Sequence, residues 1–102
     1  MGKGAVSAVG LHSVVARRQG AEGSRLGAEY VLLDPEGRTL RGLNPTGARI
    51  WELLDGTRTL GDVVLKLASE HEGADEARIA EDVLRFAELL LSRGLADRVP
   101  SR

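Results

Sequence analysis

The 102-residue chain contains no cysteine. This absence excludes disulfides, thiolate nucleophiles and cysteine-held zinc or iron–sulfur sites within the sequence. A chain without disulfides suits a reducing compartment, and we expect a cytoplasmic location. A single domain of this length must then be stabilised by one modest hydrophobic core.

An excess of charge of one sign and long apolar runs are also missing. The chain has 14 Lys and Arg against 15 Asp and Glu, a formal net charge of −1. It therefore offers no basic footprint for nucleic acid or for an anionic membrane surface. No run approaches the ~20 apolar residues of a membrane-spanning helix, and no apolar segment near the N-terminus is long enough for a signal peptide. We expect no nucleic-acid partner and no membrane partner.

Motifs for catalysis are the third absence. His12 and His71 are far apart in the sequence, and neither has the spacing of a metal-ligand motif. No serine lies in a GxSxG elbow, and the glycines form neither a phosphate-binding loop nor a dinucleotide fingerprint. Glu81 and Asp82 are adjacent, so they point to different sides of a helix. We expect a protein that is not an enzyme and that uses no cofactor and no metal.

The first half of the chain predicts three strands. β-branched residues favour a short strand over 12–18, and three glycines favour a loop over 19–28. The apolar run YVLL predicts a strand over 29–34 that is buried on both faces, in a central position. The sequence DPEG at 34–37 predicts a turn. The chain then returns over 38–43 as an edge strand with unpaired backbone groups on one side.

The phrase LNPTGARIWELLDG, residues 43–56, encodes the first of three predicted helices. Asn44 is a good N-cap, and Pro45 suits the first helical position because its missing N–H costs nothing there. Gly56 ends this segment because it adopts a left-handed conformation readily. A second helix is predicted to start at Thr59 with a short capping box.

The third predicted helix has a wider apolar arc than a core contact requires. Asp75 is its predicted N-cap and Gly94 its stop. Wound at ~100° per residue, its apolar residues cover about half of the circumference, whereas docking on one core needs a stripe of roughly 100°. The excess indicates contact with a partner, or a helix clamped between the sheet and the other helices, and the two are not exclusive. The residues of the arc are Ile79, Ala80, Val83, Leu84, Phe86, Ala87, Leu90 and Leu91.

Strands followed by three helices are also typical of winged-helix proteins that bind DNA. A recognition helix needs basic and amide side chains to meet phosphates and base edges. Residues 75–93 hold five acids against three arginines, with no Asn, Gln or Lys. Repulsion from phosphate therefore argues against DNA binding, and a winged-helix DNA-binding regulator is kept as an alternative.

Three signatures in the sequence together resemble the PqqD family over residues 28–97. These proteins are the peptide-recognition domains of pathways that modify ribosomally made peptides. The first signature is LNxxGxxIW with its LLDG ending, and the second is the R-T-L start of helix two. The third is a D-V-x-x-F…L…GL run formed by Asp82, Val83, Phe86, Leu90, Gly94 and Leu95.

The resemblance implies an α+β, winged helix-turn-helix-like fold, with a three-stranded antiparallel sheet followed by three helices. It implies one domain over 11–99, with 1–10 as a flexible N-terminus and 100–102 as a tail. Family members bind the leader segment of a precursor peptide as an extra β-strand between strand three and helix three. They deliver it to a modifying enzyme such as a radical-SAM protein, a cyclodehydratase or a leader peptidase.

The resemblance places the binding site on strand three and on one edge of helix three. Main-chain hydrogen bonds would supply affinity there, and alternate side chains would supply specificity. Many members carry aromatic residues in this strand, where this chain has RTLRGL. The resemblance therefore does not identify the leader sequence that this chain prefers. A structural adaptor subunit without leader binding is a further alternative. The predicted leader-binding residues are Arg38, Thr39, Leu40, Arg41, Gly42, Leu43, Ile79, Asp82, Val83, Arg85 and Phe86.

Overall fold

In the computed structural model the chain forms two three-stranded antiparallel sheets and three helices. The structure describes residues 9–100, with the backbone but not the side chains of 39–41. The predicted α+β fold is confirmed, while the predicted flexible N-terminus and C-terminal tail fall mostly outside the described residues. In chain order the elements are β1 (Val14–Arg17), β2 (Glu22–Leu26), β3 (Glu29–Leu33), β4 (Thr39–Leu43), α1 (Pro45–Leu53), β5 (Asp55–Thr59), α2 (Leu60–Glu70), α3 (Glu76–Ser92) and β6 (Ala96–Val99).

The turn between β3 and β4 fixes the position of β4. Sheet order is β2-β3-β4, so β3 is central as predicted. The carboxylate of Asp34 is buried and accepts from the backbone N–H groups of Glu36 and Arg38 at 3.0 and 2.9 Å. It also accepts from Arg38 Nε at 2.8 Å. The Arg38 N–H, aided by its guanidinium, holds the pKa of Asp34 below its ordinary value of 3.8, although burial opposes this.

The predicted loop over 19–28 is wrong, because half of this segment forms β2. Gly20 and Gly27 have φ angles of +94° and +63° and provide the turns at its two ends. Gly23 lies inside the strand, where the ring of Tyr30 covers it. Glycine is needed at this position because a Cβ would clash with the Tyr30 hydroxyl. Glycine composition indicates a loop here, whereas one of the glycines makes room for a neighbouring strand's side chain.

The second sheet, β5-β1-β6, contains two strands that are not among the predicted elements. Gly94, with φ +74°, reverses the chain after α3, and β6 then pairs with β1 along its whole length. An ion pair between Arg18 and Asp97 joins the two strands. β5 follows α1 directly and includes Gly56, at φ +85°. The sequence does not predict β5 and β6 because their residues are mostly polar and show no strand pattern. Main-chain pairing with β1 defines both strands.

All three predicted helix starts are confirmed. The side chain of Asn44 accepts from the N–H of Gly47 at 2.7 Å. Thr59 and Asp62 form the reciprocal bonds of a capping box, each at 3.0 Å. Asp75 accepts from the first N–H groups of α3. Side-chain oxygens thus satisfy N–H groups that a helix start leaves unpaired.

The core lies between the sheets and the helices, and Trp51 of α1 belongs to it. The tryptophan is 3% exposed. Arg17 of β1 lies 5.9 Å from its ring centroid and donates to its carbonyl oxygen at 3.0 Å, so it joins the end of α1 to the second sheet. The buried core residues are Val15, Leu32, Ile50, Trp51, Leu53, Leu54, Leu60, Val63, Val64, Leu67, Val83, Ala87, Leu90, Leu95 and Ala96.

Candidate functional site

A groove of about 500 Å³ lies between the first turn of α1 and one face of α3. One wall comes from the residues at the start of α1, which follow β4 without a linker. The other comes from the middle of α3. Its lining residues are Asn44, Thr46, Gly47, Ile50, Asp82, Arg85, Phe86 and Leu89.

Two neighbouring stripes of α3 have different surroundings. Val83, Ala87 and Leu90 are fully buried and hold the helix on the core. A second stripe, at i, i+4 and i+7 from Asp82, faces the groove through Phe86 and Leu89, and all three side chains are half-buried. Part of the arc therefore serves the core, and part forms a wall that solvent reaches.

Within residues 9–100, β4 presents an unpaired backbone edge, and the chain leads from it directly to the residues that line this groove. The two-residue turn after β2 makes Leu26 and Glu29 the closing pair, which exchanges hydrogen bonds in such hairpins. Alternation along β3 then directs the backbone groups of Leu32 toward β4, where Leu32 is paired with Arg41. We infer that the next residue, Gly42, directs its N–H and C=O to the free edge. Gly42 is exposed, and no atom lies within 4 Å of the position of a Cβ.

The two charged side chains of the groove, Asp82 and Arg85, form a weak ion pair with each other. Arg85 Nη1 lies 3.3 Å from Asp82 Oδ1, and the two side chains are 72% and 43% exposed. An exposed pair of this kind contributes at most ~1 kcal/mol, so either partner can exchange it for a ligand. Carboxylates with a lowered pKa lie outside the groove lining, each held by hydrogen bonds to its neighbours. They are Asp34, Asp55, Glu70 and Asp97.

The described part of the chain lacks two kinds of feature. Among residues 9–100 no group of three or more His, Cys, Asp or Glu side chains is placed to hold a metal ion. Within the same residues no helix combines the length and the apolar character needed to span a membrane.

The predicted strand residues have unequal places in the structure. Arg38 belongs to the turn, where it pairs with Asp34 at 2.8 Å. Leu40 has no opposite residue on β3, because Leu33 pairs with Thr39 and Leu32 with Arg41, which is a β-bulge. The side chains of residues 39–41 lie outside the described part. Leu43 is half-buried and packs on the core, and Gly42 lies at the free edge.

The predicted helix residues divide between groove and core. Asp82, Arg85 and Phe86 line the groove together. Ile79 lines a smaller cavity beside it. Val83 is fully buried and lines neither cavity, so it supports the wall from behind.

Sequence reasoning missed the wall that α1 contributes, together with Leu89. The missed residues of α1 are Thr46, Gly47 and Ile50, with the N-cap Asn44. A signal for them exists in the sequence, because the N-cap directly follows the edge strand. An N-cap in that position puts the first helical turn at the end of the strand, beside any peptide that pairs with it.

Comparison with known proteins places the chain in a family. The family model of PqqD, coenzyme PQQ synthesis protein D, matches residues 29–96. No curated protein sequence gives a significant match. Among solved structures, the PqqD truncation of Methylobacterium extorquens PqqCD is a functional, stand-alone recognition element for ribosomally synthesised and modified peptides. It is 26% identical, with a TM-score of 0.76, and the match covers 90% of this chain and 97% of that one.

Two further structures similar to this chain contain leader peptides. Lasso peptide synthetase B1, complexed with its leader peptide, is 26% identical with a TM-score of 0.67, and the match covers 81% of this chain and 96% of that one. TbiB1, in complex with the TbiA(β) leader peptide, shares the fold at 24% identity with a TM-score of 0.66, over 80% of this chain and 94% of that one. The family model covers well over half of the sequence and the fold agrees, and the chain therefore belongs to the PqqD family.

Proposed function

We propose that this chain captures the leader segment of a ribosomally made precursor peptide as an added strand on β4. The observation that carries the proposal is the position of the free β4 edge, which runs directly into the groove between α1 and α3. Edge backbone groups accept any extended peptide, while a groove beside them selects side chains. Leader binding in two similar proteins supports the same role here.

The proposed mechanism has no chemical step of its own. The outward N–H and C=O of Gly42 would bond the leader backbone, at a net ~0.5–1.5 kcal/mol for each hydrogen bond. Phe86 and Leu89 would cover its side chains on the α3 wall. A leader that is disordered before binding loses conformational entropy when it binds, which keeps the affinity moderate and release possible.

The complex would present the rest of the precursor to a modifying enzyme. We propose a radical-SAM protein, a cyclodehydratase or a leader peptidase as that enzyme, with this chain as the non-catalytic partner. The stand-alone activity of the similar PqqD domain supports this division of labour. In such an arrangement the enzyme needs no leader site of its own, because the recognition domain raises the local concentration of the substrate.

The test is a titration of the protein with the leader region of a precursor peptide encoded beside its gene. Isothermal titration gives the affinity, and NMR-detected amide exchange locates the contact. We expect slowed exchange at the Gly42 amide and shifted signals for Phe86 and Leu89. Unchanged exchange along β4, with the peptide bound, would place the site elsewhere.

The two alternatives give different results in the same set of measurements. A DNA-binding regulator would retard random duplex DNA at low salt and release it as salt rises. An adaptor subunit would bind the neighbouring enzyme and ignore the leader. We expect the leader titration to succeed and the DNA shift to be absent.

A further inference from the structure

A second, smaller cavity of about 150 Å³ adjoins the groove, and we call it the side pocket. It lies between α1, the end of α2 and the start of α3. Thr46, Ile50 and Asp82 line both cavities. A peptide in the groove therefore passes the entrance of the side pocket.

The interior of the side pocket is apolar. Ile50 and Leu67 are 2% and 1% exposed, and Ile79 is half-buried. No buried side-chain nitrogen or oxygen among the described residues lacks a hydrogen-bond partner. Beside Ile50, Leu67 and Ile79 a polar guest would lose its water without gaining a partner, which is unfavourable, whereas an apolar guest does not incur this cost.

The size and the charge of the side pocket further restrict the kind of side chain that it can bind. An apolar cavity of roughly 150 Å³ holds a ligand the size of benzene. Asp82 lies at the boundary with the groove, where its carboxylate repels an acidic side chain. Thr46 and His71 supply the other polar atoms of the lining. The preferred guest is neutral, apolar and no larger than a phenyl group.

We propose that the side pocket is a specificity subsite that takes one aliphatic or aromatic side chain from the peptide bound in the groove. Alternate side chains of an extended peptide point to the same face, so one residue faces the groove wall while another on that face enters the side pocket. This inference rests on the proposed function and adds the class of side chain that the leader must supply.

The test fills the side pocket from its exposed rim. Ala74 lines it and is exposed, and its backbone N–H donates to the carbonyl of His71 at 3.1 Å. Ala74→Leu keeps this bond and adds an apolar side chain at the mouth of the pocket. Ala77→Leu is the matched control, because Ala77 is exposed, lies on the first turn of α3 and lines neither cavity. Thermal melts verify that both variants fold like the wild type.

The probe is a peptide selected on the wild-type protein from a displayed random library. Each position is replaced in turn by Ala, and the affinities are measured by isothermal titration. We expect one position at which Leu, Ile, Met or Phe binds roughly ten- to a hundredfold tighter than Ala on the wild type and on Ala77→Leu. On Ala74→Leu the difference at that position should shrink to about twofold or less.

The outcomes separate the subsite from the function. If peptides bind but the preference survives in Ala74→Leu, or no position shows one, the subsite is refuted and leader capture stands. If the selection yields no peptide that competes with the leader region of the neighbouring precursor, and that leader itself does not bind, the proposed function fails. A preference lost in Ala74→Leu and kept in Ala77→Leu confirms the subsite.

Discussion

β4 and β2 are the two outer strands of one sheet among the described residues, and they differ in where the chain goes after each of them. Both present unpaired backbone groups on one side within the described residues. β4 leads without a linker into the first turn of α1 and so into the wall opposite α3. β2 leads into a tight turn at Gly27, and Leu26 at its end is 57% exposed. A free edge is therefore not sufficient for a peptide site, because side-chain contacts require a second wall.

The β2 edge carries features that disfavour pairing. Glu22 and Arg25 place charged side chains along it, a common means by which sheet edges avoid unwanted strands. Arg25 lies 5.9 Å from the ring centroid of Tyr30 on β3, so its side chain packs back on the sheet. These features disfavour pairing at β2 and are consistent with the proposal that β4 is the edge that binds a peptide.

Proline substitution at each edge tests this comparison most directly. By ladder alternation Gly42 directs its N–H outward on β4, and Arg25 does so on β2. Gly42 is not among the glycines with positive φ, so its backbone does not require the left-handed conformation that proline cannot adopt. Gly42→Pro should weaken leader binding about tenfold or more, since an unsatisfied partner costs ~1–3 kcal/mol. Isothermal titration measures the loss, and far-UV circular dichroism monitors the fold.

Arg25→Pro is the matched control. It removes an outward N–H from the β2 edge of the same sheet, so leader affinity should remain near that of the wild type. Equal losses in both variants would mean that proline acts through the sheet as a whole. Loss in Arg25→Pro alone would move the peptide site to β2 and contradict the comparison.

Local chemistry predicts the parts of this molecule that local contacts define. The helix starts at Asn44, Thr59 and Asp75 follow from side chains that bond within three residues, and the DPEG turn likewise. Strands β2 and β6 escape prediction because contacts with other strands define them: Tyr30 of β3 covers Gly23, and β1 pairs with the polar segment after α3.

The candidate site divides in the same way. Periodicity and the family resemblance find the α3 wall, including Asp82, Arg85 and Phe86. The same two signals also place Val83 at the site, although it is fully buried. The reason is that the apolar arc of a helix does not show which of its residues contact the core and which line a groove. The wall from α1 depends on where the fold places α1 relative to α3, and its one local signal is the N-cap Asn44 directly after β4.

The ion pair between Asp82 and Arg85 provides a second test, with a smaller expected effect. It concerns the α3 wall of the groove that follows β4. Asp82→Ala or Arg85→Ala should weaken leader binding several-fold, since both side chains line the groove. Stability should change by less than ~0.5 kcal/mol, as for most surface substitutions. Glu88→Ala is the control, because Glu88 is exposed on α3 and lines neither cavity. Normal binding by Asp82→Ala and Arg85→Ala would contradict the wall, and early melting would make the pair structural.

The smallest expected effect concerns the turns that set the two edge strands. The β3–β4 turn depends on the ionised carboxylate of Asp34, whereas the two-residue turn between β2 and β3 contains no titratable side chain. Hydrogen bonds lower the folded-state pKa of Asp34 below 3.8. A lowered pKa gives a stabilisation that is present above the unfolded value and disappears as the pH falls through the folded value.

Asp34→Asn isolates this contribution while it keeps an oxygen acceptor in the turn. The variant should melt below the wild type at about pH 7, and the gap should shrink as the pH falls below 3.8 and the wild-type carboxylate becomes protonated. Other paired carboxylates make both proteins less stable in acid, so the gap between the two melting temperatures is the quantity to measure. Glu36→Gln is the control, because this side chain is 72% exposed in the same turn. A gap that stays constant with pH would show that Asp34 holds β4 in place through its shape and hydrogen bonds rather than its charge.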